Sequence, residues 1–137
     1  MTQPTDSTPK VVLIDDTPEI AELLTFALRD HGFDVFTSGF TADIKALIDG
    51  HHADALVLDC SAFEMSEALF DSVRASDDCA TLPIVIVSDT PEKADASLRK
   101  RSAQHVLLIP KPFTGSQIAR ALDQLLTSNP ESRIPNP

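Results

Sequence analysis

Four short, continuous apolar runs constrain this chain more than any other feature: Val11–Ile14, Ala55–Leu58, Ile84–Val87 and Val106–Ile109. A strand covered on one face alternates apolar and polar residues. These runs do not alternate, which is the pattern of parallel strands covered on both faces. A fifth stretch, Phe33-Asp34-Val35-Phe36, has a polar interruption and suits an edge strand. Helical spacing fills the intervals. Ile20, Leu23, Leu24, Ala27 and Leu28 share one face of a helix opened by Thr17-Pro18-Glu19 and closed near Gly32. Thr41 is placed to cap a second helix, with Ile44, Leu47 and Ile48 inward and its end at Gly50. Met65, Leu69 and Val73 form a third stripe, and Thr90-Pro91-Glu92 opens a fourth, polar helix with little apolar face beyond Ala94 and Leu98. Thr114-Gly115-Ser116-Gln117 is a capping box for a fifth, with Ile118, Leu122, Leu125 and Leu126 inward. Strand and helix thus alternate five times, and such alternation requires right-handed crossovers and a mostly parallel, doubly wound α/β sheet.

At 137 residues the chain suits one domain. Residues 10–127 carry the pattern. The polar segment 1–9 reads as a disordered leader, and the Pro-, Ser- and Asn-rich segment 128–137 as a flexible tail or the start of a linker. The leader lacks the apolar stretch of a secretory signal, and no run of about 18 apolar residues offers a membrane span. A formal charge of −10 argues against a nucleic-acid or anionic-membrane surface. Cys60 and Cys79 are too few for a disulfide framework and read as reduced packing residues, so the expected location is cytoplasmic.

Open parallel sheets bind ligands in the crevice outside the carboxyl ends of their strands. Asp15 and Asp16 follow the first run, Asp59 the second, Ser88 the third, and Lys111, between Pro110 and Pro112, comes just after the fourth. One acid after a strand is often only a helix cap. Three carboxylates, a hydroxyl and a lysine on one sheet edge are harder to dismiss. Clustered carboxylates repel, which raises a pKa or demands a cation, and Mg²⁺ accepts a few carboxylate oxygens while leaving room for phosphate. No glycine-rich phosphate loop is present, so a nucleotide is not the expected occupant. The set instead suits a metal and a phosphoryl group beside a nucleophilic Asp59, with Lys111 neutralising charge and Ser88 donating a hydrogen bond.

The motifs VVLIDD (Asp15, Asp16), ALVLD (Asp59), PIVIVS (Ser88) and PKPF (Lys111, Pro112, Phe113) together resemble the receiver domain of two-component response regulators, the fold of chemotaxis response regulators. Each is weak alone; the four in order at these spacings are specific. The resemblance implies a flavodoxin-like (βα)5 sheet of strand order 2-1-3-4-5. It implies Asp59 as acceptor of a phosphoryl group from a histidine kinase or phosphotransfer protein. It implies Mg²⁺ held by Asp16, Asp59 and the Ser61 backbone carbonyl, with Asp15 acting through water. Ser88 would be the switch hydroxyl and Lys111 the phosphoryl-binding lysine, with a cis Lys111–Pro112 peptide. The output would be a switched surface read by a downstream protein, with a homodimer through the fourth helix, fifth strand and fifth helix as one form of it. Such a chain is a phosphoacceptor rather than an enzyme.

Three positions depart from the family pattern. Cys60-Ser61-Ala62-Phe63-Glu64-Met65-Ser66 replaces the usual Met-Pro and Gly after the acceptor, Asp89 follows the switch hydroxyl where a small residue is usual, and Leu108 stands where Tyr or Phe is common. These departures keep open a pseudo-receiver, a binding domain that works without phosphate. A haloacid-dehalogenase-type phosphohydrolase would want a second Asp two residues after Asp59, and that residue is Ser61. Arg99-Lys100-Arg101 reads as a solvated basic face, and His51-His52, His31 and His105 as surface residues rather than metal ligands. The seven aromatic residues are all Phe, and no aromatic platform for nucleic acid is apparent.

Overall fold

The computed structural model describes residues 8–41 and 43–128. The expected leader and tail lie outside these residues, apart from Thr8, Pro9 and Ser128. Pro9 is tied to the sheet, its carbonyl accepting from the Asp34 amide at 2.9 Å. The elements run β1 (Lys10–Asp15), α1 (Pro18–Asp30), β2 (Asp34–Ser38), α2 (Ile44–His51), β3 (Ala55–Asp59), α3 (Phe63–Arg74), β4 (Ile84–Ser88), α4 (Pro91–Lys100), β5 (Val106–Pro110) and α5 (Gly115–Ser128). A short 3-10 turn, Asp77–Cys79, sits between α3 and β4. All neighbouring strands are parallel, in the order β2-β1-β3-β4-β5. The doubly wound α/β sheet and its 2-1-3-4-5 order are therefore as expected. Phe33–Phe36 foreshadowed an edge strand, and β2 is one.

Two cores flank the sheet because strand side chains alternate faces. Val11, Leu13, Val57 and Val85 meet α1 and α5, while Val12, Ile14, Leu56, Leu58 and Ile86 meet α2 and α3. The fifth helix opens as its sequence implied. The Gln117 side chain accepts from the Thr114 amide at 2.7 Å and the Thr114 hydroxyl from the Gln117 amide at 3.2 Å. There α5 comes so near α1 that a β-carbon on Gly115 would stand 2.3 Å from that of Ala27. At the opposite edge Arg74 staples α3 to the loop before β5, donating to the carbonyls of Cys79, Gln104 and His105 while lying over the Phe70 ring.

Several local expectations are corrected. Leu23 is 65% exposed, and Ala21 takes the inward place beside Leu24 and Leu28. The apolar stripe drifts around α1 because its period is not an integer. Asp43, not Thr41, is the first non-helical residue before α2; the Thr41 hydroxyl accepts from the Asp43 amide instead. That helix runs past Gly50 to His51, which stacks on Phe36 at 3.9 Å between ring centroids, and His52 closes it in the left-handed conformation. α1 stops as foreseen: Gly32 takes φ +95°, a region open to glycine, and the Phe33 amide returns to the Leu28 carbonyl at 3.1 Å.

Candidate functional site

The parallel register builds the site. Asp15 and Asp59 are partners in the ladder between β1 and β3, so both carboxylates leave the sheet at the same level. They are 5% and 2% exposed. Ser88 pairs with Pro110 across β4 and β5, and the Lys111 amide donates to the Ser88 carbonyl at 2.8 Å. This delivers the lysine side chain over the acidic pair, where its ammonium lies 3.0 Å from Asp59 Oδ1. The Lys111–Pro112 peptide is cis, as expected.

The electrostatics follow from burial. Burial pushes the Asp15 carboxyl up from 3.8 to about 7; the Thr17 amide opposes this, and the charges of Asp59 and Asp16 add to it. The Thr17 amide donates to Asp15 Oδ1 at 2.9 Å, while Oδ2 is buried without a partner. As an acid that group can donate to Asp59; as an anion it has no cation of its own. Burial works against the Lys111 ammonium, but the hydrogen bond and charge of Asp59 outweigh it and hold the amine above its ordinary range.

Asp16 is placed differently. It is exposed and turned to Ser61, whose amide donates to both carboxylate oxygens at 3.1 Å and whose hydroxyl donates at 2.5 Å. The Ser61 hydroxyl holds the Asp16 carboxyl below its usual range. The structure thus brings Asp15, Asp59 and Lys111 together and engages Asp16 with Ser61. Among the described residues, no group of three or more His, Cys, Asp or Glu is gathered as a metal cluster. The Ser88 hydroxyl accepts from the Thr90 amide at 3.0 Å and lies 3.2 Å from the Thr90 hydroxyl.

From sequence Thr17 and Thr90 read only as helix openers, and the side chain of Ser61 is given no role. Thr17 and Thr90 each lie two residues after a strand-end Asp or Ser, the spacing of an Asx or Ser/Thr turn, and that signal could have found them. Cys60 is packing: burial raises its thiol to about 11. Asp89 is exposed and adds to the field that holds Lys111 charged. Leu108 is half-buried against the core that includes Ile84 and Ile86. In the basic run, Arg99 pairs with Asp95 and Arg101 with Asp71, each at 2.8 Å.

Two concavities open beside the acidic pair. A cleft of about 750 Å³ is lined by Asp15, Asp16, Glu22, Phe26, Arg29 and Ser38. An apolar groove of about 580 Å³ runs between α1 and the start of α5, lined by Ile20, Leu23, Leu24, Lys111, Pro112 and Phe113. No helix among the described residues is long and apolar enough to cross a membrane.

No protein-family model matches the chain. Among curated proteins it is 28% identical over 117 residues to the "Probable transcriptional regulatory protein TcrX" of Mycobacterium tuberculosis, covering 85% of this chain and 49% of that protein. The chain therefore spans about half the length of the curated relative it matches. Among solved structures, the receiver domain of a signal transduction histidine kinase from Syntrophus aciditrophicus superposes with TM-score 0.76 at 18% identity, over 94% of this chain and 98% of that one. The chemotaxis response regulator CheY4 of Vibrio cholerae gives TM-score 0.69 at 22% identity, over 87% and 99%. The receiver domain of the sensor histidine kinase PA1611 from Pseudomonas aeruginosa, with a magnesium ion in its active-site cleft, gives 0.64 at 18%, over 86% and 97%. The chain has the receiver-domain fold.

Proposed function

We propose that this chain is a phosphoacceptor module of two-component signalling, with Asp59 as the acceptor. The observation that carries the reading is the buried Asp59 carboxylate, held at 3.0 Å by the Lys111 ammonium with a second buried carboxyl, Asp15, at its side. A structural ion pair alone gives no reason for Asp15 Oδ2 to be buried without a partner. A nucleophile awaiting a phosphoryl group and a cation does.

In the proposed step, an Asp59 oxygen attacks the phosphorus of a phosphohistidine. The P–N bond breaks, and the imidazole, already protonated at its other nitrogen, keeps the electron pair and departs neutral. Lys111 follows the charge onto the transferred oxygens. The Ser88 hydroxyl donates a hydrogen bond to one of them while its oxygen goes on accepting from the Thr90 amide.

An oxygen-only set with an unpartnered oxygen fits a hard cation. Asp15 and Asp59 would hold Mg²⁺, and Asp16 would join them on leaving Ser61, whose backbone carbonyl would be a further ligand. When bound, Mg²⁺ would neutralise negative charge gathered at the acceptor. The PA1611 receiver, which carries magnesium in its cleft, supports this assignment.

The exposed Leu23 in the apolar groove and the exposed Phe26 in the cleft beside Asp15 suit the donor, a histidine kinase or phosphotransfer protein, as the docking partner. The product would be a signal passed by contact with a downstream protein rather than a turned-over substrate. Incubation with Mg²⁺ and acetyl phosphate should give a species retarded on a phosphate-affinity gel, absent for Asp59→Asn. Equal retardation of both, or none of either, would sink the acceptor reading.

Beside the departures after Asp59, at Asp89 and at Leu108, the pseudo-receiver reading has one structural observation in its favour, the engagement of Asp16 by Ser61. It requires that Ser61→Ala leave Mg²⁺ affinity unchanged.

A further inference from the structure

α4 is held in an unusual way. Its only fully buried side chain is Ala94, with Leu98 partly packed against the core, whereas α5 buries Ile118, Ala119, Ala121, Leu122 and Leu125. What joins α4 to its neighbour is a polar ladder. Glu64, Glu67 and Asp71 recur along one edge of α3; Lys93 and Ser97 lie along the facing edge of α4, with Arg101, the residue that caps its C-terminus, four further on. The rungs match in order. Lys93 meets Glu64 at 3.0 Å, the Ser97 hydroxyl donates to Glu67 at 2.6 Å, and Arg101 lies 3.5 Å from Glu67. Arg101 then grips Asp71 through two parallel bonds of 2.8 and 2.9 Å, and also donates to the Ser97 carbonyl one turn back.

Isolated exposed ion pairs contribute little, but a bidentate arginine inside a connected set is the arrangement in which they count. Arg101 and Glu67 are 29% and 31% exposed at the side chain, whereas Asp71, Lys93 and Glu64 are more than half exposed, so the Arg101 end of the ladder is the least screened and the Lys93–Glu64 rung contributes least. The other end of α4 is tied to the acidic site, because the Thr90 amide just before the helix donates to the Ser88 hydroxyl at 3.0 Å. A displacement of Ser88 toward Asp59 therefore pulls at the start of α4, and the ladder resists along its length.

We propose that this ladder is a clasp that holds α4 against α3 at rest, and that its strength sets how readily a phosphoryl group on Asp59 displaces the helix. The second half rests on the function proposed above. The clasp itself does not.

Hydrogen exchange read by mass spectrometry, on peptides from α4 and from β1 and β3, separates the two. In the first arm no phosphoryl donor is present. Arg101→Ala, or raising NaCl from about 20 mM to about 500 mM, should speed exchange in α4 about tenfold while β1 and β3 stay unchanged. Arg101→Lys, which keeps the charge and loses the fork, should fall between. The double reversal Asp71→Arg with Arg101→Asp should bring α4 back toward the parent. Unchanged α4 exchange in Arg101→Ala at low salt overturns the clasp, as does a rise in β1 and β3 equal to that in α4.

In the second arm, Mg²⁺ and beryllofluoride are titrated into the parent, Arg101→Ala and Asp59→Asn. The proposal expects α4 to loosen in the parent, to do so at lower beryllofluoride in Arg101→Ala, and not to respond in Asp59→Asn. Equal titration midpoints for the first two overturn the threshold role. If no protein responds, the acceptor reading fails and the clasp is judged by the first arm.

Discussion

Replacing Asp15 by Asn should make the protein more stable at neutral pH, because the native fold holds that carboxyl against its own ionisation. Its native value of about 7 lies well above the ordinary 3.8, and burial is the main cause. The sign follows from proton binding. Between those two values the native chain keeps a proton that the unfolded chain releases, so stability is full below about pH 4 and is lost as the pH rises through 7. At about 1.36 kcal/mol per pH unit the gap corresponds to roughly 4 kcal/mol. Asp59 shares the field, so about 2–4 kcal/mol is the range to look for. The chain has no Trp or Tyr, so urea unfolding is best followed by far-ultraviolet circular dichroism, in magnesium-free buffer at pH 8 and pH 4.5. Asp15→Asn should unfold at higher urea at pH 8, and the difference should shrink toward zero at the lower pH. A difference of the same size at both values, or a less stable variant at pH 8, would refute the electrostatic reasoning.

Added Mg²⁺ should raise the melting temperature of the parent at pH 8 by several degrees and that of Asp15→Asn by much less, as seen by calorimetry. Gly115→Ala should lose about 1–3 kcal/mol, since the new methyl would stand 2.3 Å from Ala27, and the double change with Ala27→Gly should recover most of it in thermal melts. Arg74→Ala should lose about 1–2 kcal/mol by removing the guanidinium that joins the carbonyls of Cys79, Gln104 and His105, although Cys79 and His105 still accept from the Leu82 and Ile84 amides, and Arg74→Lys should recover only part of the loss. Gln117→Ala should lose about 0.5–1 kcal/mol through the capping box alone, measurable as a shift in urea midpoint.

The strands were legible because burial on both faces leaves a mark that needs no partner: an unbroken apolar run is visible in one dimension. The same runs gave the strand ends, and with them Asp15, Asp59, Ser88 and Lys111. The true strands run slightly further, because Asp15, Asp59 and Ser88 are themselves the last residues in the ladders. Leu23 misled because an apolar residue near the edge of a helical stripe can face core or solvent, and only the packing of α5 on α1 decides which. The engagement of Asp16 by Ser61 joins residues 45 apart, and nothing in the spacing of either marks the other. The ladder between α3 and α4 was half visible. Arg101 stood out as part of a basic run, but its carboxylate partners lie on a helix whose neighbour only the strand order reveals.

The pairing of Asp15 with Asp59 across β1 and β3 also governs what the chain can tolerate in change. Along a strand, every added or lost residue reverses the face that all later side chains occupy. A single insertion between Val11 and Asp15 would turn the carboxyl away from Asp59 and bring a core residue to the strand end, wherever else the protein compensated. The connections beyond the strand ends carry no such parity and can lengthen or shorten without moving the acidic pair. Variation in this protein is therefore quantised in its strands and freest in the turns at the other end of the sheet, away from Thr17, Ser61, Thr90 and Lys111, and the count of residues between core and crevice is the quantity to keep when it is redesigned.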